Sequence, residues 1–151
     1  MSNKDKAPLL SILSSTPEFK PNEVEVAEEV IDSYLTHGTE EGYHVEIAEE
    51  DGEVLGYVCF GETPLTIGTW DIYWIAVDKN KRGHKVGKAL SDVAEKTIKE
   101  AGGRLIIIET SSVPLYENTR KFYLACGYEI IARIPDFYAV DDDKVILQKK
   151  L

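Results

Sequence analysis

Arg82, Lys85 and Lys88 surround Gly83 and Gly87 in the segment Asn80-Lys81-Arg82-Gly83-His84-Lys85-Val86-Gly87-Lys88, directly ahead of a helical repeat. Glycine lets a backbone turn tightly and come close to a ligand. The first amides of a helix have no internal partners and carry the positive end of its dipole. With three cationic side chains added, in a chain whose formal net charge is -10, the segment suits a pyrophosphate. Spacing narrows the choice. A P-loop has four residues between its glycines and Ser or Thr after the lysine, whereas three residues separate Gly83 from Gly87 and Ala89 follows Lys88. The dinucleotide fingerprint G-x-G-x-x-G is absent. The competing structural reading is an ordinary basic turn at the start of a helix.

Other residue types add candidates. Glu109 closes the apolar run Leu105-Ile106-Ile107-Ile108, and a carboxylate in a partly apolar setting has a raised pKa that suits a general base. A solvated or paired acid at a strand end is the plain alternative. Aromatic residues (Trp70, Tyr73, Trp74, Phe137, Tyr138) and acids (Asp136, Asp141, Asp142, Asp143) would together suit a cation. Core aromatics and an acidic hairpin turn explain the same residues equally well. His37, His44 and His84 are too scattered for a metal site, so no metal is expected.

The elements around these residues are legible from periodicity. Pro21 to Leu35 has proline near its start, acids in its first turn and Val24, Ala27, Ile31 and Leu35 at helical spacing. Tyr43 to Glu49 and Val54 to Phe60 alternate around Asp51-Gly52, a hairpin signal. Trp70 to Val77 reads as a strand, Ala89 to Ala101 as an amphipathic helix stopped by Gly102-Gly103, and Leu105 to Ile108 as a strand covered on both faces. Strand, helix and strand make a βαβ unit with parallel strands. A helix around Tyr116 to Ala125 and strands over Tyr128 to Ile134 and Lys144 to Lys149 follow. Leu9 to Leu13 is expected as an edge strand and residues 1–6 as disordered. The sum is a single α/β (α+β) domain over residues 1–151 with a mixed sheet.

The strand Asp71-Ile72-Tyr73-Trp74-Ile75-Ala76-Val77 followed by Arg82-Gly83-His84-Lys85-Val86-Gly87 resembles the hallmark of the GNAT N-acetyltransferase superfamily. That hallmark has the form E/D-I-x-x-I-A-V and then R-G-x-G-x-G/A. The resemblance runs from about Tyr43 to Leu151. It implies a mostly antiparallel twisted sheet flanked by helices, with a central parallel pair that splays apart after Val77 and Glu109. It further implies acetyl-CoA as cosubstrate, its pyrophosphate on amides from Arg82 to Lys88 (Arg82, Gly83, His84, Lys85, Val86, Gly87, Lys88) and its pantetheine arm along Ile75, Ala76 and Val77. Phe122 and Asn118 join the cofactor set. Lys85 stands where the family often has glycine, and Tyr116, rather than Asn118, occupies the register of the family's helix-start asparagine.

The string Phe122-Tyr123-Leu124-Ala125-Cys126-Gly127-Tyr128 resembles the family's Y-x-x-x-G-F/Y segment, which makes Tyr123 the expected acid beside the thioester sulfur. Asp71 matches a position where some members carry a carboxylate acting through water as base. Acyl transfer to an amine needs that amine neutral, although its pKa is about 10.4 for a lysine-like group. Cys59 and Cys126 lie among apolar residues, with no histidine beside either, so direct attack in a ternary complex is expected over an acyl-enzyme.

Acidity argues against nucleic acid and anionic membrane as partners, and favours a small cationic amine. A protein N-terminus or lysine is a second class of acceptor, and a non-catalytic CoA-binding module a rival of another kind. No apolar run is long enough to cross a bilayer, and two isolated thiols suit a reducing compartment, so a cytoplasmic location is expected. Monomer and homodimer are both left open.

Overall fold

The computed structural model describes all 151 residues. Helices α1 (Lys6–Ser14) and α2 (Pro21–His37) precede strands β1 (Tyr43–Glu50), β2 (Glu53–Glu62) and β3 (Thr69–Val77). Then come α3 (Val86–Glu100), β4 (Leu105–Ser111), α4 (Glu117–Ala125), β5 (Glu129–Ala139) and β6 (Asp142–Lys150). The six strands form one sheet in the order β1-β2-β3-β4-β6-β5, with every neighbouring pair antiparallel except β3 and β4. No helix is long and apolar enough to cross a membrane.

Alternation along the strands divides the core in two. Val58, Phe60, Ile72, Ile106 and Leu147 meet Leu90, Ala94 and Ile98 of α3 and Tyr123 of α4 on one face. On the other, Val45, Tyr57 and Cys59 meet Leu9 and Leu13 of α1 and Ala27 and Ile31 of α2. The doubly covered strand is therefore β2, whose residues from Val54 to Gly61 are all buried. β4 instead alternates, with Ile106 and Ile108 buried and Leu105 and Ile107 half-buried, because the α1–α2 layer covers only the β1–β3 half of its face.

Two expectations for the N-terminus are corrected. Leu9 to Leu13 is helical, not an edge strand: Leu9, Ile12 and Leu13 lie three and four apart and pack inward as one stripe. Pro8 is tolerated in the first turn, where amides lack helical partners. Residues 1–6 are also structured. The Asp5 carboxylate accepts from the Ser2 amide at 2.7 Å and hydroxyl at 2.8 Å, closing a 3-10 turn over Asn3–Asp5. Lys6 bridges to Glu28 and Asp32 of α2 at 2.9 and 2.7 Å.

The feature that positions the site is a break in the sheet. β3 and β4 pair only from Thr69–Leu105 to Asp71–Ile107. The expected splay after Val77 and Glu109 thus begins six residues earlier on β3 and two earlier on β4. A bulge explains it. The β2–β3 register passes from Phe60–Ile72 to Cys59–Trp74, leaving Tyr73 as an extra residue that bends β3 away from β4.

Candidate active site

The loop after β3 is built to present backbone amides. Asp78 accepts from the Asn80 amide at 2.7 Å and starts a 3-10 turn over Lys79–Lys81. Gly83 then takes φ +83°, and Lys85 takes φ 64°, ψ 7°, the left-handed conformation that favours glycine. Lys85 therefore preserves a glycine-like path despite its side chain. No side chain caps the 15-residue α3, so the amides of its first turn are left for another partner. Gly87 is needed for a different reason than turning. A Cβ there would lie 3.3 Å from the Phe122 ring and 3.7 Å from Val77, so the glycine lets α3 close against α4 and the end of β3.

Most cations of the loop are already engaged. Lys81 reaches Glu53 at 3.5 Å, Arg82 forks onto Glu18 at 3.1 and 3.2 Å, and Lys88 pairs with Asp92. Lys85 has no such carboxylate partner. His84 turns its Nδ1 toward the carbonyls of Lys81 and Arg82, at 3.3 and 3.2 Å.

Beyond the loop, the gap between β3 and β4 opens into a cleft of about 810 Å³, within the range of small-molecule sites. Ile75, Ala76 and Val77 line one wall on the edge of β3 that β4 has left unpaired. Arg82, Gly83, Lys85, Val86, Gly87 and Lys88 line it at the loop, and Asn118, Phe122 and Tyr123 from α4. Of the expected cofactor residues only His84 stays off the lining. Tyr123 is 4 % exposed, and burial pushes its hydroxyl well above the usual phenol range, so it carries its proton at neutral pH. Arg120, one turn back, donates to the carbonyls of Ser111 and Val113 at 2.6 and 3.1 Å and fixes α4 against the end of β4.

The two carboxylate candidates part company. Glu109 lines the cleft, but the strand continues past it to Ser111 and its carboxylate receives Lys144 at 2.5 Å. That setting is ionic, not the apolar one anticipated. Asp71 is not brought to the cleft. It sits at the last position of β3 that pairs with β4 and accepts from the Thr63 hydroxyl at 2.6 Å.

Acids and aromatics nevertheless share the lining of the cleft. Glu23, Glu109, Asp142, Tyr73, Tyr116 and Tyr138 all line the cleft. Burial, and then Glu23, Glu18 and Asp142, push Tyr116 up to about 12. Burial, and then Glu109, Asp142 and Glu23, raise Tyr138. Of the other residues anticipated there, Trp70 belongs to the core, and Phe137 lies under the Lys144 ammonium, 3.8 Å from its ring centre. Asp136 and Asp143 tie the hairpin tip, the Asp136 amide donating to Asp143 at 2.9 Å.

Glu18, Glu23 and Lys144 were not anticipated. Glu18 lies in the α1–α2 connection, 64 residues before Arg82, and its carbonyl also accepts from the Tyr116 hydroxyl. Nothing local marks such a residue. Glu23 was visible only as a first-turn acid of α2, where it does accept from the Lys20 amide at 2.7 Å.

Comparisons with known proteins agree with this geometry. Residues 8–128 match the Acetyltransferase (GNAT) family. A Desulfovibrio desulfuricans protein assigned to the GNAT acetyltransferases is 38% identical, with TM-score 0.95 over 98% of this chain and 93% of that one. An aminoglycoside 6'-N-acetyltransferase solved with coenzyme A shares the fold at 20% identity and TM-score 0.76, covering 98% and 91% of the two chains. The Escherichia coli ribosomal-protein-S18-alanine N-acetyltransferase does so at 14% identity and TM-score 0.77, covering 99% and 90%. A comparison with curated protein sequences finds no match. The fold, the family match and the 38%-identical relative together show that the chain belongs to the GNAT acetyltransferase family.

Proposed function

We propose that the protein transfers an acetyl group from acetyl-CoA to the primary amine of a small cationic molecule, by direct attack in a ternary complex. One observation carries this reading: a single cleft joins an uncapped helix N-terminus and its cations to a buried, protonated tyrosine and a wall of carboxylates. The donor set fits acetyl-CoA. First-turn amides of α3 with Arg82 and Lys85 suit a pyrophosphate, and the unpaired edge of Ile75–Val77 suits an amide-bearing arm. Acetyl-CoA brings the activated acetyl thioester.

The remaining work falls to the protein. Tyr123 holds a proton in a buried position and can donate it to a departing thiolate. Glu23 and Asp142 draw an ammonium into the cleft, and Tyr73, Tyr116 and Tyr138 offer it ring faces. Lys144 occupies Glu109, and Asp71 lies off the cleft, so the proton of the incoming amine passes to water rather than to a dedicated base. Cys59 is fully buried and its thiol is pushed up to about 12, which removes it as a nucleophile. The aminoglycoside relative gives a precedent for a small amine-bearing substrate within this fold.

Thermal unfolding with CoA, ATP and NAD tests the cofactor assignment, because a ligand that binds only the native state raises its melting temperature. CoA should stabilise and the other two should not. Amine-dependent release of CoA thiol then separates an enzyme from a CoA-binding module, which would bind without turnover.

A further inference from the structure

Glu18, Glu23, Glu109 and Asp142 are the acids that line the cleft, and they differ in what holds them. Lys144, whose side chain is 13% exposed and lies against the Phe137 ring, holds Glu109. The Ser111 hydroxyl donates to Asp142, and the Lys20 amide to Glu23. Glu18 alone takes its cation from the loop before α3. Arg82, 44% exposed and just past the 3-10 turn over Lys79–Lys81, forks onto its carboxylate at 3.1 and 3.2 Å. Glu18 could not simply move aside if Arg82 left. Its side chain is 16% exposed, and its backbone carbonyl accepts from the Tyr116 hydroxyl. The carboxylate is thus pinned at the cleft and poorly reached by water. Removing the cation from such a group is costly unless another replaces it.

We propose that cofactor and acceptor are coupled through Glu18: the pyrophosphate takes Arg82, and the freed carboxylate receives an ammonium of the acceptor. The inference rests on the proposed function and makes Glu18 a specificity residue that acts only once cofactor is bound. A pyrophosphate carries more charge than one carboxylate and accepts the same guanidinium fork, so the exchange is favourable. The reacting amine must be neutral, so the charge that Glu18 receives is a second one. The acceptor class is therefore an amine that carries a further, non-reacting cationic group. Tyr116 offers this group a ring nearby; burial, and then Glu23 and Glu18, raise its hydroxyl. Glu23, held by an amide and not by a cation, attracts an ammonium with or without cofactor. Coupling is reciprocal, so a bound acceptor must tighten cofactor binding by the same factor.

Calorimetry tests this with CoA, which has no acetyl group to transfer, and spermidine as the cationic probe. Circular dichroism shows that each variant is folded. CoA is titrated first by itself; a wild type that does not bind it overturns the cofactor assignment together with the coupling. Saturation with CoA should tighten spermidine binding by about tenfold, within the usual range of coupling between sites. Glu18→Gln should still bind CoA but bring that factor below about twofold. Glu23→Gln should weaken spermidine in the free and the CoA-loaded protein alike, leaving the factor unchanged. A CoA-loaded wild type that binds spermidine no better than the free protein overturns the proposal. So does a folded Glu18→Gln variant that keeps the full factor.

Discussion

Arg82 presents both terminal nitrogens to both carboxylate oxygens of Glu18, Nη1 to Oε1 at 3.2 Å and Nη2 to Oε2 at 3.1 Å. The pair ties the α1–α2 connection to the loop before α3 at the cleft. On the proposed reading it also occupies a cation that a pyrophosphate would use, and sets a carboxylate beside the place proposed for that anion. Glu18→Gln should therefore tighten CoA binding by about two- to fivefold, in keeping with the ~0.5–1 kcal/mol of a partly exposed pair. Calorimetry measures it. Weaker binding would mean that Glu18 positions Arg82 rather than competing for it.

Tyr123→Phe removes one hydroxyl from a buried ring and little else. The expected result is a fall in kcat of about 10²-fold, the lower range for loss of a general acid, with CoA affinity unchanged. Steady-state kinetics alongside CoA titration distinguishes the two quantities. An equal loss of binding would point to a packing role.

Gly87→Asp inserts a side chain where even a Cβ would lie 3.3 Å from Phe122, and adds negative charge to the first turn of α3. CoA affinity should drop by at least about tenfold, one decade corresponding to 1.4 kcal/mol. Unchanged affinity in calorimetry would displace the cofactor from this loop.

Lys85→Gly should move stability and affinity in opposite directions. It relieves the left-handed strain of a side-chain-bearing residue at φ 64°, worth about 1 kcal/mol, so denaturant resistance rises. It also deletes a cleft-lining cation without a carboxylate partner, so CoA binding weakens, most visibly at low salt. A variant that only loses stability would contradict both halves of the argument.

His44 lies between Phe60 and Trp70, 5.2 Å from each ring centre, and burial lowers its pKa against the opposing pull of Glu46 and Glu62. The unfolded chain, titrating near 6.5, binds the proton more readily than the folded one. Stability from this residue is therefore present above about pH 6.5 and is lost as pH falls toward the lower folded value. Urea unfolding at several pH values should show this slope, and His44→Phe should flatten it. An imidazole titrating above the free value by NMR would refute the assignment.

Local features of the chain were legible because local chemistry determines them. Gly83 and the neighbouring polar residues announce a turn that opens into a helix within ten residues, and the spacing of Leu90, Ala94 and Ile98 identifies that helix. What escaped is long-range or finely balanced. The bulge at Tyr73 that opens the cleft early has no sequence signature beyond a strand of ordinary composition. Glu18 and Lys144 acquire their roles only through partners 64 and 35 residues away. Leu9 to Leu13 is ambiguous in sequence because a short apolar run suits strand and helix alike, although the inward residues Leu9, Ile12 and Leu13 carry helical spacing. The Thr63 hydroxyl that donates to Asp71 comes from the end of the β2–β3 connection, which no local pattern ties to β3.

The central claim is tested most directly by incubating the protein with acetyl-CoA and a panel of cationic, neutral and peptide amines, with products identified by mass spectrometry. The account predicts acetylated small cationic amines, formed in step with released CoA thiol and much more slowly by Tyr123→Phe. Binding of acetyl-CoA with no acetylated product from any amine, or products confined to peptide amines, would contradict it.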